Sequence, residues 1–216
     1  MWEMQESFFF PPHCPRCGAY VERRGGWCPA CLRQAAHFTR LALPAGSPLM
    51  SAWAAGSYRG GLQNLIRGLK YHGKKSGLPY ILTVLQRVPE PFPVSVALAV
   101  PVPLHPAKER QRGFNQTELI FRDWLALRDI PMRRLLVRTR PTPPQYGLTR
   151  QARQENLRGA FALAAGAAAE LHGRDVLLLD DIFTTGTTAA ACARVLLRGG
   201  VRSVSALVLA SDHQSG

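Results

Sequence analysis

Val176-Leu-Leu-Leu-Asp180-Asp181-Ile-Phe-Thr184-Thr185-Gly186-Thr187-Thr188 reads as one structural unit. The apolar run from Val176 to Leu179 has the composition of a strand buried on both faces, as in a parallel sheet. Two carboxylates follow, then a loop of small hydroxyl residues around one glycine. A helical pattern comes next, over Thr187 to Leu197, and Gly199-Gly200 ends it. In open α/β sheets the ligand sits just beyond the carboxyl ends of the strands. The loop and the helix start offer backbone N–H groups and a positive dipole end, which suit a phosphate dianion. Gly186 lets the main chain come close, and the Thr hydroxyls add donors. A carboxylate repels phosphate and pairs instead with hydroxyl groups or Mg²⁺. A phosphate at one end and a diol nearby describe a ribose 5-phosphate. No Gly-Lys-Ser/Thr follows, which excludes a Walker A loop.

Working outward, the run Val94 to Val100 and the segment Val201 to Ala210 read as further buried strands, and Arg134 to Val137 starts another. Tyr58, Leu62, Leu65, Ile66 and Leu69 fall at helical spacing with Gly73 as a stop, and Leu119 to Leu127 reads as a helix. Gly159 to Leu163 reads as a short strand, and Ala164 to Ala169 as a turn or helix start. Strands alternating with helices predict an α/β fold with a mostly parallel sheet flanked by helices. Leu41 to Pro48 is rich in turn formers and reads as a linker. It divides a module over residues 1–46 from a main domain over 47–216.

The charge is strongly positive, with 27 Lys and Arg against 14 Asp and Glu, a formal net +13. An anionic partner follows, either a phosphate-bearing small molecule or nucleic acid. Wholesale disorder is excluded by 46% hydrophobic residues. No apolar run reaches bilayer length and the start carries no basic signal region, so the expected compartment is the cytoplasm. The excess is concentrated, with twelve cations and five acids between Lys108 and Arg158. Lys108, Arg110 and Arg112 follow the first buried strand at a position that suits a polyanion such as pyrophosphate. His105, next to Pro106, is equally open to a general acid role and to that of a rigid turn residue. Arg138 to Arg158 shows neither period, and a connection of that length in a compact domain is usually a lid or a binding loop. Arg150, Arg153 and Arg158 are its candidate ligand contacts.

Four of the five cysteines form two CxxC pairs, Cys14/Cys17 and Cys28/Cys31. Where disulfides are disfavoured, such pairs bind metal, and two knuckles complete the tetrahedral sulfur site that Zn²⁺ favours. The metal would supply the folding energy of a module too small to hold itself together by apolar burial. Cys192 lies in an Ala-rich helical pattern and reads as a small core residue.

The unit at 176–188 resembles the PRPP-binding motif of type I phosphoribosyltransferases. That resemblance assigns the ribose hydroxyls to Asp180 and Asp181, and the 5-phosphate to Thr184, Thr185, Gly186, Thr187 and Thr188. It also implies Mg²⁺ with PRPP, a pyrophosphate loop at Lys108–Arg112 and a mobile catalytic loop at 138–158. Hypoxanthine-guanine enzymes of that superfamily carry Asp where this chain has Thr184, which argues against that subclass. Several features occur in one order: the four-Cys element, Leu69-Lys70-Tyr71, Arg112-Gly-Phe-Asn-Gln116, Gln145…Arg153…Asn156…Phe161 and the 180–188 turn. Together they resemble the ComF family, which is associated with natural competence for DNA uptake and has a phosphoribosyltransferase domain. Three functional classes stay open. One is a Mg²⁺-dependent transferase moving ribose 5-phosphate from PRPP to an acceptor the sequence does not name. The others are a PRPP- or nucleotide-sensing protein without turnover, and a single-stranded DNA adaptor partnering competence proteins. Tyr20, Trp27, Phe38 and Tyr58 are candidate stacking residues for the last.

Overall fold

The computed structural model describes residues 11–142 and 149–212. Among them the strands are β1 (Ala36–Arg40), β2 (Ser51–Ser57), β3 (Leu98–Pro101), β4 (Leu136–Arg138), β5 (Phe161–Leu163), β6 (Asp175–Phe183) and β7 (Ser203–Ser211). The helices are α1 (Pro29–Ala35), α2 (Gly60–His72), α3 (Leu78–Leu85), α4 (Pro106–Arg112), α5 (Gln116–Ala126), α6 (Arg150–Leu157), α7 (Ala167–Leu171) and α8 (Thr187–Arg198). Five strands form one sheet in the order β1-β2-β7-β6-β3. All neighbours are parallel except β1, which runs antiparallel to β2. The expected α/β architecture, a mostly parallel sheet between helices, is what the chain forms.

Strand β6 is central, and its side chains alternate between two cores. Val176 and Leu178 pack with Cys192, Leu196, Phe161 and Leu171 on the α8 face. Leu177 and Leu179 pack with Leu62, Ile66, Phe121 and Trp124 on the α2 and α5 face. Burial on both faces explains why the run is apolar without alternation. Cys192 is a buried core residue of α8. Gly73 closes α2 in the left-handed conformation at φ 62°, the conformation for which a glycine stop is suited.

Several elements differ from expectation. Strand β6 continues through Asp180 and Asp181 to Phe183, because β7 pairs with it up to Phe183↔Ser211; the acids are therefore part of the strand. The segment over Arg134 to Val137 contributes β4, which pairs with β5 in a separate two-stranded sheet. Lys108 to Arg112 is helical, started by Pro106 and closed by Gly113 at φ 83°. The connection 138–158 contains α6, whose polar sequence lacks the apolar period that marks a helix. Strand β2 is Ser, Ala, Trp and Gly, with none of the β-branched residues that announce a strand. Its small side chains are required by packing: a Cβ on Gly56 would lie 2.2 Å from the Ala35 carbonyl oxygen and 2.8 Å from Leu62.

Candidate functional site

The adjacent acids serve two different environments. Asp181 is buried and turns toward α2 and α5, where Lys70 Nζ lies 2.9 Å from Oδ1 and Gln116 Nε2 donates to Oδ2 at 2.8 Å. Asp180 is half-buried and lies within the electrostatic reach of Arg138 and Cys192 as well as Lys70. Its Oδ1 accepts the Asp181 backbone N–H at 2.8 Å. Burial first, and the neighbouring Asp181 charge second, push the Asp180 carboxyl up to about 7. Lys70 is shifted in the stabilising direction: although burial works against its charge, Asp181 holds its ammonium above the ordinary lysine range.

The segment Arg112–Gln116 folds as a joint between α4 and α5. Gly113 supplies the left-handed turn, and Asn115 caps α5 by accepting the Thr117 N–H at 3.0 Å. The Asn115 amide also donates to the Val102 carbonyl at 3.1 Å, tying the joint to the end of β3. Lys75 Nζ stands 5.1 Å from the centre of the Phe114 ring. Gln116 then faces Asp181, and its Oε1 accepts from Arg112 Nη1. A chain of contacts therefore runs Arg112–Gln116–Asp181–Lys70.

Lys108 and Arg112 are one helical turn apart on α4, so they share a face. Burial and then the charges of Arg112, Arg138 and Lys70 pull Lys108 below the ordinary lysine value. Burial also lowers Arg112, partly offset by Asp181. Like charges gathered this closely make a place for an anion. Arg110 stands two residues from each of them, on the far side of the helix, and is exposed. It is not brought to the acids.

Beyond β6 the turn opens. Thr184 is exposed, while Thr185, Gly186 and Thr188 are half-buried and Thr187 is buried. Gly186 has φ 70°, and a Cβ there would lie 2.5 Å from Phe183 Cζ. Both the backbone conformation and the space therefore call for glycine. The Thr185 and Thr187 hydroxyls are 2.8 Å apart. Helix α8 starts at Thr187, with its first turn directed at the loop. The linker at 43–49 packs over this turn, leaving a recess of about 80 Å³ beside Thr185, Gly186 and Thr187.

Of the lid residues, Gln145 and Tyr146 lie outside the described residues. Arg150 and Arg153 fall on α6, and their side chains are outside the described set. Arg158 lines a cleft of about 480 Å³ with Thr187, Arg194 and Arg198. Arg140 fastens the segment by donating to the carbonyls of Asn156 and Arg158 at 2.9 and 2.8 Å. His105 caps α4, its Nδ1 accepting the Ala107 N–H at 3.3 Å. Lys70 and Gln116 are the partners of Asp181 that chemical reading of the sequence left without a role. Both lie in motifs already singled out, Leu69-Lys70-Tyr71 and Arg112–Gln116, and that is the only signal for them in the sequence.

At the N-terminal module, the sulfur atoms of Cys14, Cys17, Cys28 and Cys31 all lie within 4.8 Å of one another. Cys17 and Cys28 Sγ are 3.7 Å apart, close to the edge of about 3.8 Å of a tetrahedron with zinc–sulfur bonds of about 2.3 Å. Gly18 turns the first knuckle at φ 73°, and Cys28 caps α1 by accepting the Cys31 N–H. The residues present fit Zn²⁺. Of the candidate stacking aromatics, Tyr20 is 66% exposed and Trp27 only 7%. Phe38 packs edge-on against Phe92 and Tyr58 is half-buried, which suits a core better than base stacking. A further cleft of about 710 Å³ lies beside this module, lined by Arg23, Arg33 and Arg87 among others, away from the acids.

Mg²⁺ does not fit the donor set at Asp181. Each carboxylate oxygen already accepts from a nitrogen donor, and a magnesium ion at about 2.0–2.1 Å would have to displace them. Among the described residues, no helix is long and apolar enough to cross a membrane.

Comparison with known proteins agrees with these features. The double zinc ribbon domain family matches residues 7–42. Competence protein F of Haemophilus influenzae is 27% identical over 206 residues, covering 92% of this chain and 84% of its own length. DNA utilization protein YhgH of Escherichia coli (strain K12) is 30% identical over 200 residues, covering 88% and 80%. Among solved structures, one described as the allosteric regulatory enzyme of purine biosynthesis overlaps 54% of this chain at a TM-score of 0.36 and 16% identity. This chain covers 22% of that protein's length. The four-cysteine ribbon, the α/β sheet and the near-full-length match to these relatives together place the chain in the ComF family, with competence protein F and DNA utilization protein YhgH.

Proposed function

We propose that the chain binds PRPP and transfers its ribose 5-phosphate to an acceptor, releasing pyrophosphate, in the service of DNA uptake or utilisation. One observation carries the reading: the turn at Thr184–Thr188 starts α8 directly after the paired acids, and Arg112, Arg138, Lys70 and Asp181 all lie within electrostatic reach of Lys108. The turn receives the 5-phosphate on backbone N–H groups and Thr hydroxyls. Asp180 accepts from a ribose hydroxyl, and Asp181 holds the positions of Lys70 and Gln116. Lys108 and Arg112 meet the pyrophosphate. As the ribose C1–oxygen bond breaks, positive charge grows on the sugar and negative charge on the pyrophosphate. A preorganised donor aimed at developing charge is typically worth about 2.7–4 kcal/mol of barrier. Any Mg²⁺ belongs with the pyrophosphate as part of the ligand. The division near residue 46 is one of chemistry rather than of folding, since β1 lies before it yet pairs with β2 of the main sheet.

Binding without turnover is the second reading. Calorimetry of zinc-loaded protein with PRPP and with ribose 5-phosphate tests the site. Pyrophosphate release in the presence of candidate acceptor bases separates transfer from sensing. An absence of PRPP binding would remove both readings.

A further inference from the structure

The feature that the function leaves unexplained is a lysine buried against Asp181, the acid next to the one that meets the ribose. Lys70 is 18% exposed at its side chain and Asp181 6%, with 2.9 Å between ammonium and carboxylate. Burying a charge this far is strongly unfavourable unless it is paired. The pair is not a by-product of a crowded surface. Lys70 comes from the last turn of α2, Gln116 from the first turn of α5 and Asp181 from the end of β6, so three elements are aimed at one point.

The charge balance is informative. Two adjacent ionised carboxylates at a strand end would carry −2 and would call for a divalent ion. Here Asp180 is pushed up to about 7 and shares its proton near neutrality. One ammonium, that of Lys70, lies 2.9 Å from Asp181 Oδ1. Both Asp181 oxygens are already satisfied, by Lys70 and by Gln116. A divalent ion arriving there would have to displace an ammonium and an amide, and would leave the pocket with excess positive charge.

Resting on the proposed ribose 5-phosphate site, we propose that Lys70 is the resident cation of the acid pair, a positioning residue that takes the place of a protein-held metal. The sugar phosphate then binds without a divalent ion. Lys70 keeps Asp181 fixed, Asp181 fixes Gln116, and Gln116 holds Arg112 toward the pyrophosphate end. An ordinary structural ion pair would make no difference to the metal requirement of the site, whereas a resident cation sets it.

The test uses full-length, zinc-loaded protein in buffer freed of other divalent ions, so that the ribbon keeps its metal. Ribose 5-phosphate is titrated by calorimetry with and without millimolar Mg²⁺. Wild type is expected to bind equally, within about twofold, in both buffers. Lys70→Gln is expected to bind at least ten times more weakly without Mg²⁺ and to regain affinity when Mg²⁺ is added. Lys70→Arg keeps the charge and is expected to stay independent of Mg²⁺. Mn²⁺ titration followed by water-proton relaxation provides a readout apart from ligand binding. Ligand-free wild type is expected to hold no Mn²⁺ at the acids, and Lys70→Gln to acquire a site that Asp181→Asn removes. Should Lys70→Gln fail to fold, the wild-type arms still decide. Wild-type binding that appears only with Mg²⁺ overturns the inference and leaves the proposed function standing. Binding in neither buffer overturns both.

Discussion

Asp181→Asn separates a designed buried pair from an incidental one. The substitution keeps the shape and removes the charge that faces Lys70 at 2.9 Å, in a place where the two side chains are 6% and 18% exposed. Removing one partner of a buried pair leaves the other uncompensated, which costs about 3–5 kcal/mol. The amide also puts an NH₂ group among donors, since Lys70 and the Gln116 amide both need acceptors there. Total stability of a domain is about 5–15 kcal/mol, so the expected loss is a large fraction of it. For a domain of this size each kcal/mol lowers Tm by about 2–4 °C, and a fall of roughly 6–20 °C follows from the two ranges. Urea unfolding of the zinc-loaded protein, read by circular dichroism, gives the free energy directly. The double variant Lys70→Met with Asp181→Leu removes both charges and is expected to recover most of the loss. A cost below about 1 kcal/mol for Asp181→Asn is the size of a solvated surface bridge. That result would refute the argument that this pair is buried and mutually dependent.

Three further outcomes follow from other parts of the molecule. Gly186→Ala puts a Cβ 2.5 Å from Phe183 at φ 70°, so it is expected to destabilise by about 1–3 kcal/mol and to weaken ribose 5-phosphate binding at least tenfold; unchanged affinity by calorimetry would count against the turn as the phosphate cradle. Because burial raises Asp180 from 3.8 to about 7, the folded state retains a proton that the unfolded state has lost. The stabilisation this gives is complete below about 4 and is lost as pH rises through about 7. Asp180→Asn is expected to flatten that part of a plot of urea midpoint against pH. Metal analysis of the purified chain is expected to find one zinc, and Cys31→Ser to lower zinc affinity by orders of magnitude; full occupancy in Cys31→Ser, measured by mass spectrometry under native conditions, would contradict the four-sulfur site.

What the sequence made legible was whatever one local pattern decides. The run Val176–Leu179 gave away β6 because burial on both faces demands uninterrupted apolar residues, and the CxxC spacing gave away the knuckles because chelation is local. Strand β2 was not legible: its Ala, Ser and Gly residues are chosen by what packs on them, as Gly56 beneath the Ala35 carbonyl demonstrates. Helix α6 was hidden for the opposite reason, being too polar to carry a period. At the candidate site, the acids and the turn were legible as a contiguous stretch. Their partners were not, since Lys70 reaches Asp181 across 111 positions of sequence and Gln116 across 65. No local pattern reports a meeting of that kind; only the packing of α2 and α5 on the sheet produces it.

Helix α2 begins at Gly60 and Gly61, and these glycines are where the zinc ribbon seats itself. A Cβ on Gly61 would strike Trp27 at 2.9 Å and Arg16 at 3.0 Å, while Trp27 Nε1 donates to the Tyr80 carbonyl and Thr83 Oγ1 to that of Gly25, both at 2.9 Å. Lys70 is ten residues further along the same helix, about 15 Å at the usual rise. Helix α2 thus meets Trp27 and Arg16 of the ribbon at its first turn and carries the Lys70 ammonium, paired with Asp181, in its last, while the ribbon's hydrogen bonds go to α3. The ribbon and the Lys70–Asp181 pair therefore rest on one helix as a common support, so the seating of the first and the placement of the second are set by the same piece of chain.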